Sequence, residues 1–339
     1  MPCFSRLFLI GVITACVTAC RSTAPIGPTV VAATSQEAVP TPVETVATIA
    51  ATATPEQSTL EVGTKVDIGG YQLYVRCTGR GAPPVVFDAG ASSGSSAWSA
   101  IEPNVAAFTT ACVYDRANRG RSDKGPIPTT SQQQVRDLHT LLANVQVSGP
   151  FVLVGQSFGG MNMGLYARLY PAEAVGLVMV DAVHERGYVD QSITPCPYKD
   201  CNGVDLAESG RQVQAAPPMP DIPLIVLQHG RPGPLSAGWE ARWPAWQQEL
   251  AARSPRGKLV LAERSTHNIH RDQPELVVAA IQELVEQVRL RDTSCNRADT
   301  RRSGVSGSDS PHTRLGPASG CEDRPNNRAG RAARQRARG

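Results

Sequence analysis

Residues 151–160 read FVLVGQSFGG, and this stretch decides the fold. The β-branched and apolar run that precedes Gly155 is typical of a buried strand, and residues 161–170 (MNMGLYARLY) predict a helix that ends before Pro171. A serine at a strand-to-helix junction adopts a strained backbone, and flanking glycines avoid collisions in the turn. The sequence therefore predicts that the hydroxyl of Ser157 projects at a helix N-terminus, where N–H groups and the helix dipole favour negative charge.

The pentapeptide Gly155-Gln156-Ser157-Phe158-Gly159 is not specific by itself, because glycine and serine are common residues. The strand before it and the helix after it make it specific. The alternative is a glycine-rich turn in which the serine has no chemical role. In this context we interpret Ser157 as a nucleophile, which needs a base within hydrogen-bond reach.

The region around this motif, residues 61–290, alternates between strand and helix patterns. Strands are predicted at residues 64–68, 71–76, 85–87, 111–114, 151–154, 175–180, 222–228 and 258–262. Apolar residues at helical spacing predict helices over residues 131–145 and 272–288. Continuous apolar strands joined by helices indicate the α/β class, with a mostly parallel sheet covered by helices on both faces.

The N-terminal end of the 339-residue chain predicts export. Residues 1–20 combine Arg6 with an apolar run over residues 7–17 that is too short to span a membrane. Residues 17–20 (VTAC) resemble a bacterial lipobox. We therefore expect a lipid anchor at Cys20 that holds the protein on the outer side of the cytoplasmic membrane. A plain secretory signal, which would release the protein, is the alternative.

Two further segments differ in composition from the middle of the chain. Residues 21–60 are rich in Thr, Ala, Pro and Val and predict a disordered linker. Residues 291–339 contain eleven Arg and five acidic residues, a local charge of +6, so the formal net charge of +3 leaves −3 for the rest. We expect this Arg-rich tail to be disordered. It resembles no nucleic-acid-binding fold, and no nucleic-acid partner is expected.

The cysteines outside the predicted signal indicate disulfides. Cys196 and Cys201 lie close together in a loop, where a local bridge is expected in an exported protein. A zinc site would need a second pair of Cys or His residues at metal-binding spacing, which the sequence lacks. No metal or organic cofactor is expected.

The order of the motifs resembles the α/β-hydrolase superfamily, and within it the lid-bearing, esterase-like serine hydrolases. The resemblance covers residues 61–290. It depends on the strand–Gly-x-Ser-x-Gly–helix unit, a strand that ends near Gly90, the stretch 114–123 (YDRANRGRSD) and a late His267 before an amphipathic helix.

The resemblance implies an eight-stranded sheet with a lid at residues 183–220. It also makes the second and fourth strands neighbours, so Cys77 and Cys112 are expected to form a disulfide.

The resemblance also implies a base for Ser157. His267 lies in the loop after the final strand, at the sheet edge where the loops meet, and the family carries its base histidine in this loop. His270, which is closer to the start of the last helix, is the alternative.

The acid that would orient this base is not found after the strand where many relatives carry it. Many relatives carry it after the strand at 222–228, but the loop 229–234 (HGRPGP) holds no carboxylate before Glu240. Haloalkane dehalogenases of similar pattern carry the acid one strand earlier, at the position of Asp181. We predict Asp181, with Glu240 and Glu185 as alternatives.

The remaining groups complete the predicted reaction. The backbone N–H groups of Ala91 and Phe158 are expected to form the oxyanion hole. A serine nucleophile forms an acyl-enzyme, whereas dehalogenases and epoxide hydrolases attack with a carboxylate. We therefore predict hydrolysis of a carboxylic ester, or a related acyl bond, of a small to medium apolar substrate. A peptidase or amidase of the same fold is one alternative, and a non-catalytic surface binding protein that retains the fold is another.

Overall fold

The computed structural model describes residue 61 and residues 63–190, 203–233 and 236–303. The predicted signal, the linker at 21–60, the pair Cys196 and Cys201, and positions 304–339 of the tail lie outside the described residues.

Eight strands form one sheet, in the order β1-β2-β4-β3-β5-β6-β7-β8. Strand β2 runs antiparallel to β1 and β4, and all other neighbours are parallel. The predicted α/β class, with a mostly parallel eight-stranded sheet, is confirmed. The strands are β1 (Thr64–Asp67), β2 (Gln72–Thr78), β3 (Val85–Asp88), β4 (Ala111–Tyr114), β5 (Phe151–Gln156), β6 (Ala174–Val180), β7 (Leu224–His229) and β8 (Gly257–Ala262).

The central strands are apolar throughout because helices cover both faces of the sheet. Every residue of β3, β4 and β5 is buried. Side chains alternate between the two faces, so Val152 and Val154 join one apolar cluster while Leu153 joins the other. This explains why the sequence shows continuous apolar runs in place of polar–apolar alternation.

Helices complete the two outer layers. They are α1 (Glu102–Ala106), α2 (Ser131–Asn144), α3 (Phe158–Leu169), α4 (Arg186–Val189), α5 (Leu206–Ala215), α6 (Ala237–Ala251), α7 (Ile269–Asp272) and α8 (Pro274–Ser303), with short 3₁₀ turns at Ser95–Trp98 and Pro171–Glu173. Helices α1 and α8 contribute to the apolar cluster on one face, whereas α2, α3 and α5 contribute to the cluster on the other. None of the helices in the described part of the chain combines the length and hydropathy of a membrane span.

The last helix is longer than predicted. The sequence predicts a disordered tail from residue 291, but α8 continues to Ser303. Beyond Leu290 the helix is polar, and the hydroxyls of Thr293 and Ser294 donate to carbonyls one turn earlier. An apolar stripe anchors the first part of the helix to the sheet, and extending an existing helix avoids the cost of nucleation. Polar composition therefore did not mark the end of this helix.

The disulfide predicted from the resemblance is confirmed. Strands β2 and β4 pair with Cys77 directly opposite Cys112, and the two sulfurs are bonded. The bridge therefore ties the antiparallel edge of the sheet to its parallel centre.

The described residues of the predicted lid, 183–190 and 203–220, pack against the body, and residues 191–202 of it lie outside the described part of the chain. Helix α5 lies at the start of α2, where Ser209 Oγ accepts a hydrogen bond from Ser131 N at 2.9 Å. Val204 forms a β-bridge with Thr129. The N–H of Ser131 has no acceptor within α2, so the hydroxyl of Ser209 supplies one. This contact and the bridge hold α5 beside the start of α2.

Candidate active site

Ser157 lies at a sharp junction between β5 and α3. Its φ of 55° and ψ of −121° place it in a conformation that a non-glycine residue rarely adopts. A Cβ atom on Gly155 would collide with the backbone of Gly159, as expected for a tight turn. A Cβ atom on Gly159 would collide with the carbonyl oxygens of Asp88 and Ala89 at the end of β3. Gly159 therefore lets the β5–α3 junction that carries Ser157, called the elbow below, approach the end of β3.

The structure brings His267 to Ser157. His267 follows β8, and its Nε2 lies 3.0 Å from Ser157 Oγ. Gln156, the residue before the serine, donates its amide N–H to the carbonyl oxygen of His267 at 3.2 Å. The loop is thus fastened to β5, the strand that leads to Ser157. A neutral His267 in this arrangement accepts the serine proton at Nε2.

Asp181 lies on the other side of His267. Its Oδ2 is 2.7 Å from His267 Nδ1, and its side chain is fully buried. Asp181 directly follows β6 and has a φ of 49°, a backbone conformation that aspartate tolerates better than most residues. Burial by itself raises the pKa of Asp181, but hydrogen bonds from His229 and His267 outweigh it, so the pKa lies below its usual value. Asp181 is therefore held as a carboxylate.

The alternatives to these residues lie elsewhere. The buried ring of His270 packs against Trp98, with centroids 5.6 Å apart, and burial lowers the pKa of His270 to about 4. Glu185 is bound by Arg253 at 2.6 and 2.8 Å. Glu240 contacts His229, at 3.0 Å from its Nε2. Among the described residues, Asp181 is the carboxylate that contacts His267.

Arg116 orders the loop that follows β3. Its guanidinium is buried, pairs with Asp88, and donates to the carbonyl oxygens of Ala89 at 2.7 Å and Gly90 at 2.6 Å. In a trans peptide the N–H points away from the carbonyl oxygen. Because Arg116 holds the carbonyl oxygen of Gly90, the N–H of Ala91 points to the opposite side of the peptide.

The two predicted oxyanion donors lie close to Ser157. A Cβ atom on Gly90 would lie 3.7 Å from the Cβ of Ser157, which places the Ala91 peptide beside the serine. No described residue accepts a hydrogen bond from Ala91 N–H. Phe158 N–H is the first of α3 and has no partner within the helix. Both groups can therefore donate to an oxyanion.

The stretch 114–123 supports this loop through Asp115. Asp115 is buried and accepts hydrogen bonds from Ser95 N at 2.5 Å and from Arg121 N at 2.9 Å. Gly94 and Gly120 approach the carboxylate so closely that a Cβ atom at either position would collide with it. The motif therefore fixes the backbone beneath Arg116.

Sequence reasoning did not identify two further residues of this cluster. His229 Nδ1 lies 2.7 Å from Asp181 Oδ2, and Trp243 Nε1 donates to Asp181 Oδ1 at 2.8 Å. His229 ends β7, so its position at the carboxyl edge of the sheet was a usable signal. Trp243 lies in α6, and nothing in its sequence surroundings indicated this contact.

Lid residues approach the elbow. Tyr188, in α4, places its ring 6.3 Å from that of Phe158 in an edge contact and 5.7 Å from that of Trp239. Trp239, Trp243 and Trp246 of α6 form a buried aromatic cluster with Val183 at the root of the lid. The lid root is therefore apolar where it faces the residue after the serine.

Asp181, His229 and His267 also offer potential metal ligands. One atom of each lies within 4.8 Å of the others. Both Nδ1 atoms lie 2.7 Å from Asp181 Oδ2, a hydrogen-bond contact that accounts for the arrangement.

Comparisons with known proteins agree with this architecture. A model of the alpha/beta hydrolase family matches residues 85–240. The protein YqjL of Bacillus subtilis is 25% identical over 210 residues, which cover 58% of this chain and 81% of that protein.

Solved structures share the fold. An esterase from Thermogutta terrifontis superposes with a TM-score of 0.53 at 20% identity, covering 67% of this chain and 98% of that one. An enol-lactonase from Burkholderia xenovorans superposes with a TM-score of 0.52 at 15% identity, covering 66% of this chain and all of that one. The sheet order, the serine junction and the match of residues 85–240 to the family model agree, and the chain has the alpha/beta hydrolase fold.

Proposed function

We propose that this protein is a serine hydrolase that cleaves a carboxylic ester, or a related acyl bond, through an acyl-enzyme. The observation that carries the proposal is the continuous hydrogen-bonded line from Ser157 Oγ through both ring nitrogens of His267 to Asp181, at 3.0 and 2.7 Å. A nucleophile, a base and an orienting carboxylate in this order support acyl transfer.

In the first half-reaction, Ser157 Oγ attacks the substrate carbonyl carbon while its proton moves to Nε2 of His267. The carbonyl oxygen gains the negative charge and accepts hydrogen bonds from Ala91 N–H and Phe158 N–H. Asp181 stabilises the positive charge on His267. Collapse of the tetrahedral intermediate breaks the ester C–O bond, and the proton on Nε2 leaves with the alcohol.

In the second half-reaction, water attacks the acyl carbonyl carbon and gives one proton to Nε2 of His267. The tetrahedral intermediate collapses, the bond to Ser157 Oγ breaks, and the oxygen recovers its proton from Nε2. The carboxylic acid is released and the enzyme returns to its starting state.

The lid root supports an apolar substrate of small to medium size. Tyr188 and Phe158 form an aromatic contact next to the serine. Apolar walls with a few convergent polar groups are typical of small-molecule sites. A non-catalytic binding protein would not need a base 3.0 Å from the serine hydroxyl, and this distance favours the enzyme.

A fluorophosphonate probe tests the proposal, because it labels only an activated serine. We expect labelling of the wild-type protein and none of a Ser157→Ala variant. Hydrolysis of p-nitrophenyl esters graded by acyl length, alongside an amide series, then defines the acyl group. Folded wild-type protein that neither reacts with the probe nor hydrolyses any ester would overturn the proposal.

We also propose that the enzyme acts outside the cytoplasm, held by a lipid on Cys20. The Cys77–Cys112 disulfide supports export, because such bonds persist in oxidising compartments. Alkylation without reductant, followed by peptide mapping, should leave both cysteines unmodified. Metabolic labelling with a fatty acid tests the anchor, and a Cys20→Ala variant should lose the label.

A further inference from the structure

A second histidine shares the carboxylate of Asp181. His229 Nδ1 and His267 Nδ1 each lie 2.7 Å from Asp181 Oδ2. His229 also donates its backbone N–H to Asp181 Oδ1 at 2.9 Å, and Trp243 donates to the same oxygen at 2.8 Å. Four donors thus surround one carboxylate, and two of them belong to His229.

Counting protons assigns a charge to His229. An ionised carboxylate only accepts hydrogen bonds, so the Nδ1 atoms of His229 and His267 must both carry hydrogen. On the far side of the His229 ring, Nε2 lies 3.0 Å from Glu240 Oε2. A bare Nε2 lone pair would face an acceptor there, so a second proton is required. Histidine is more basic than glutamate, which favours this proton on His229.

Glu240 stabilises the proton on His229 Nε2 by accepting its hydrogen bond. Its other oxygen, Oε1, accepts a hydrogen bond from Gly233 N at 2.9 Å. Both oxygens of Glu240 therefore act as acceptors, as in an ionised carboxylate. His229 lies between two carboxylates, and its side chain is 6% exposed, which shields the pair from solvent.

We propose that His229 is a positioning residue for the hydrolase: as an imidazolium held by Asp181 and Glu240, it fixes the catalytic carboxylate and keeps a positive charge beside the Ser157–His267 pair. This inference deepens the proposed function and rests on it.

Three titratable groups face His229 among the described residues. Asp181 reaches it from the end of β6, Glu240 from α6, and His267 from the loop after β8. Burial by itself lowers the pKa of His229, but hydrogen bonds and charge interactions with Asp181 and Glu240 outweigh it, so the pKa lies above the usual value. This direction agrees with the proton count.

The permanent charge has a consequence for catalysis. A proton on Nε2 of His267 adds a second positive charge to a cluster that already contains one. The positive charge on His229 therefore opposes the positive charge that His267 gains with this proton. The cost is weaker stabilisation of the protonated His267 during turnover.

A His229→Asn variant tests this role. The Asn side-chain N–H can replace Nδ1–H toward Asp181, but the charge is lost. We expect the acidic limb of the kcat/KM profile to move up by about one pH unit, as expected for removing a unit charge from a shielded site. The matched control is His139→Asn. His139 lies in α2, outside the Asp181 cluster, and its Nε2 also contacts a carboxylate, that of Glu173, at 3.0 Å. The control should leave the limb in place.

Nitrogen NMR of the histidine rings provides a readout without turnover. We expect both ring nitrogens of His229 to be protonated at pH 7, and the titration midpoint of His229 to fall in Glu240→Gln. A neutral His229 in active wild-type protein would overturn the role of His229 but leave the proposed function standing. An acidic limb of the kcat/KM profile that stays in place in His229→Asn would do the same. Wild-type protein without activity would overturn the proposed function, and the role of His229 with it.

Discussion

Asp181 and His267 are 86 residues apart in the chain, and their side chains are joined by a hydrogen bond of 2.7 Å. Asp181 directly follows β6, whereas His267 lies in the loop after β8, and β7 lies between these strands in the sheet. In parallel strands the carboxyl ends share one edge, so loops from non-adjacent strands meet there. His229, the last residue of β7, binds the same carboxylate.

Replacing Asp181 by Asn should remove most of the activity. Asn replaces one of the two accepting carboxylate oxygens with an NH2 donor. His267 then loses the acceptor that fixes its tautomer. We expect kcat to fall by about 10³- to 10⁴-fold, measured by steady-state hydrolysis of a p-nitrophenyl ester. Glu185→Gln is the matched control, since Glu185 pairs with Arg253, and it should retain kcat. The reverse result would transfer the orienting role to Glu185.

Adding a methyl group at Gly159 should inactivate the enzyme. An alanine Cβ would meet the carbonyl oxygens of Asp88 and Ala89, which are backbone atoms and cannot rotate away. The elbow would move from the oxyanion loop, and we expect at least a 100-fold loss of kcat/KM. Gly238→Ala is the control, because nothing lies within 4 Å of that Cβ position. It should keep full activity and gain about 0.4–1 kcal/mol of unfolding free energy.

Replacing Arg116 by Lys should weaken the oxyanion hole. Lysine keeps the charge opposite Asp88 but lacks the planar fork that holds the carbonyls of Ala89 and Gly90 together. Ala91 N–H would lose its fixed direction, so we expect kcat to fall by about 10- to 100-fold with little change in KM. Stopped-flow acylation rates measure the effect directly. Unchanged acylation in a folded variant would show that the loop orders itself without the guanidinium.

Two buried histidines should make the protein less stable in acid. Burial is the largest cause that lowers the pKa values of His184 and His270, each to about 4. Both values lie below the unfolded value of about 6.5, so the folded state binds fewer protons between pH 6.5 and 4. Their contribution to stability is present above pH 6.5 and is lost as the pH falls toward 4.

Thermal unfolding across this pH range provides the measurement. The Tm of the wild-type protein should fall as the pH decreases from 6.5 to 4, and His270→Gln should show a shallower fall. If the difference in Tm between the two proteins is the same at every pH, His270 does not titrate as described.

Several features of this protein follow from the sequence alone. Residues 151–160 combine strand pattern, small residues and serine in one local unit, and local patterns act through near neighbours in the chain. The strand ends after β6 and β8 carry Asp181 and His267, so their arrival at one edge follows from the parallel sheet. The Cys77–Cys112 pair followed from the strand order that the resemblance implied.

Other features were decided only by the tertiary structure. The chain has no local signal for the extension of α8 to Ser303, for Trp243 beneath Asp181, or for Arg116 behind the peptide of Ala91. The contacts of Trp243 and Arg116 depend on side chains from distant elements meeting at distances below about 3 Å, which periodicity and spacing do not encode. The extension of α8 depends on the anchoring of its first part to the sheet. His229 illustrates the boundary between the two: its place at the sheet edge is local information, but the sharing of one carboxylate by two histidines exists only after β6, β7 and β8 have packed together.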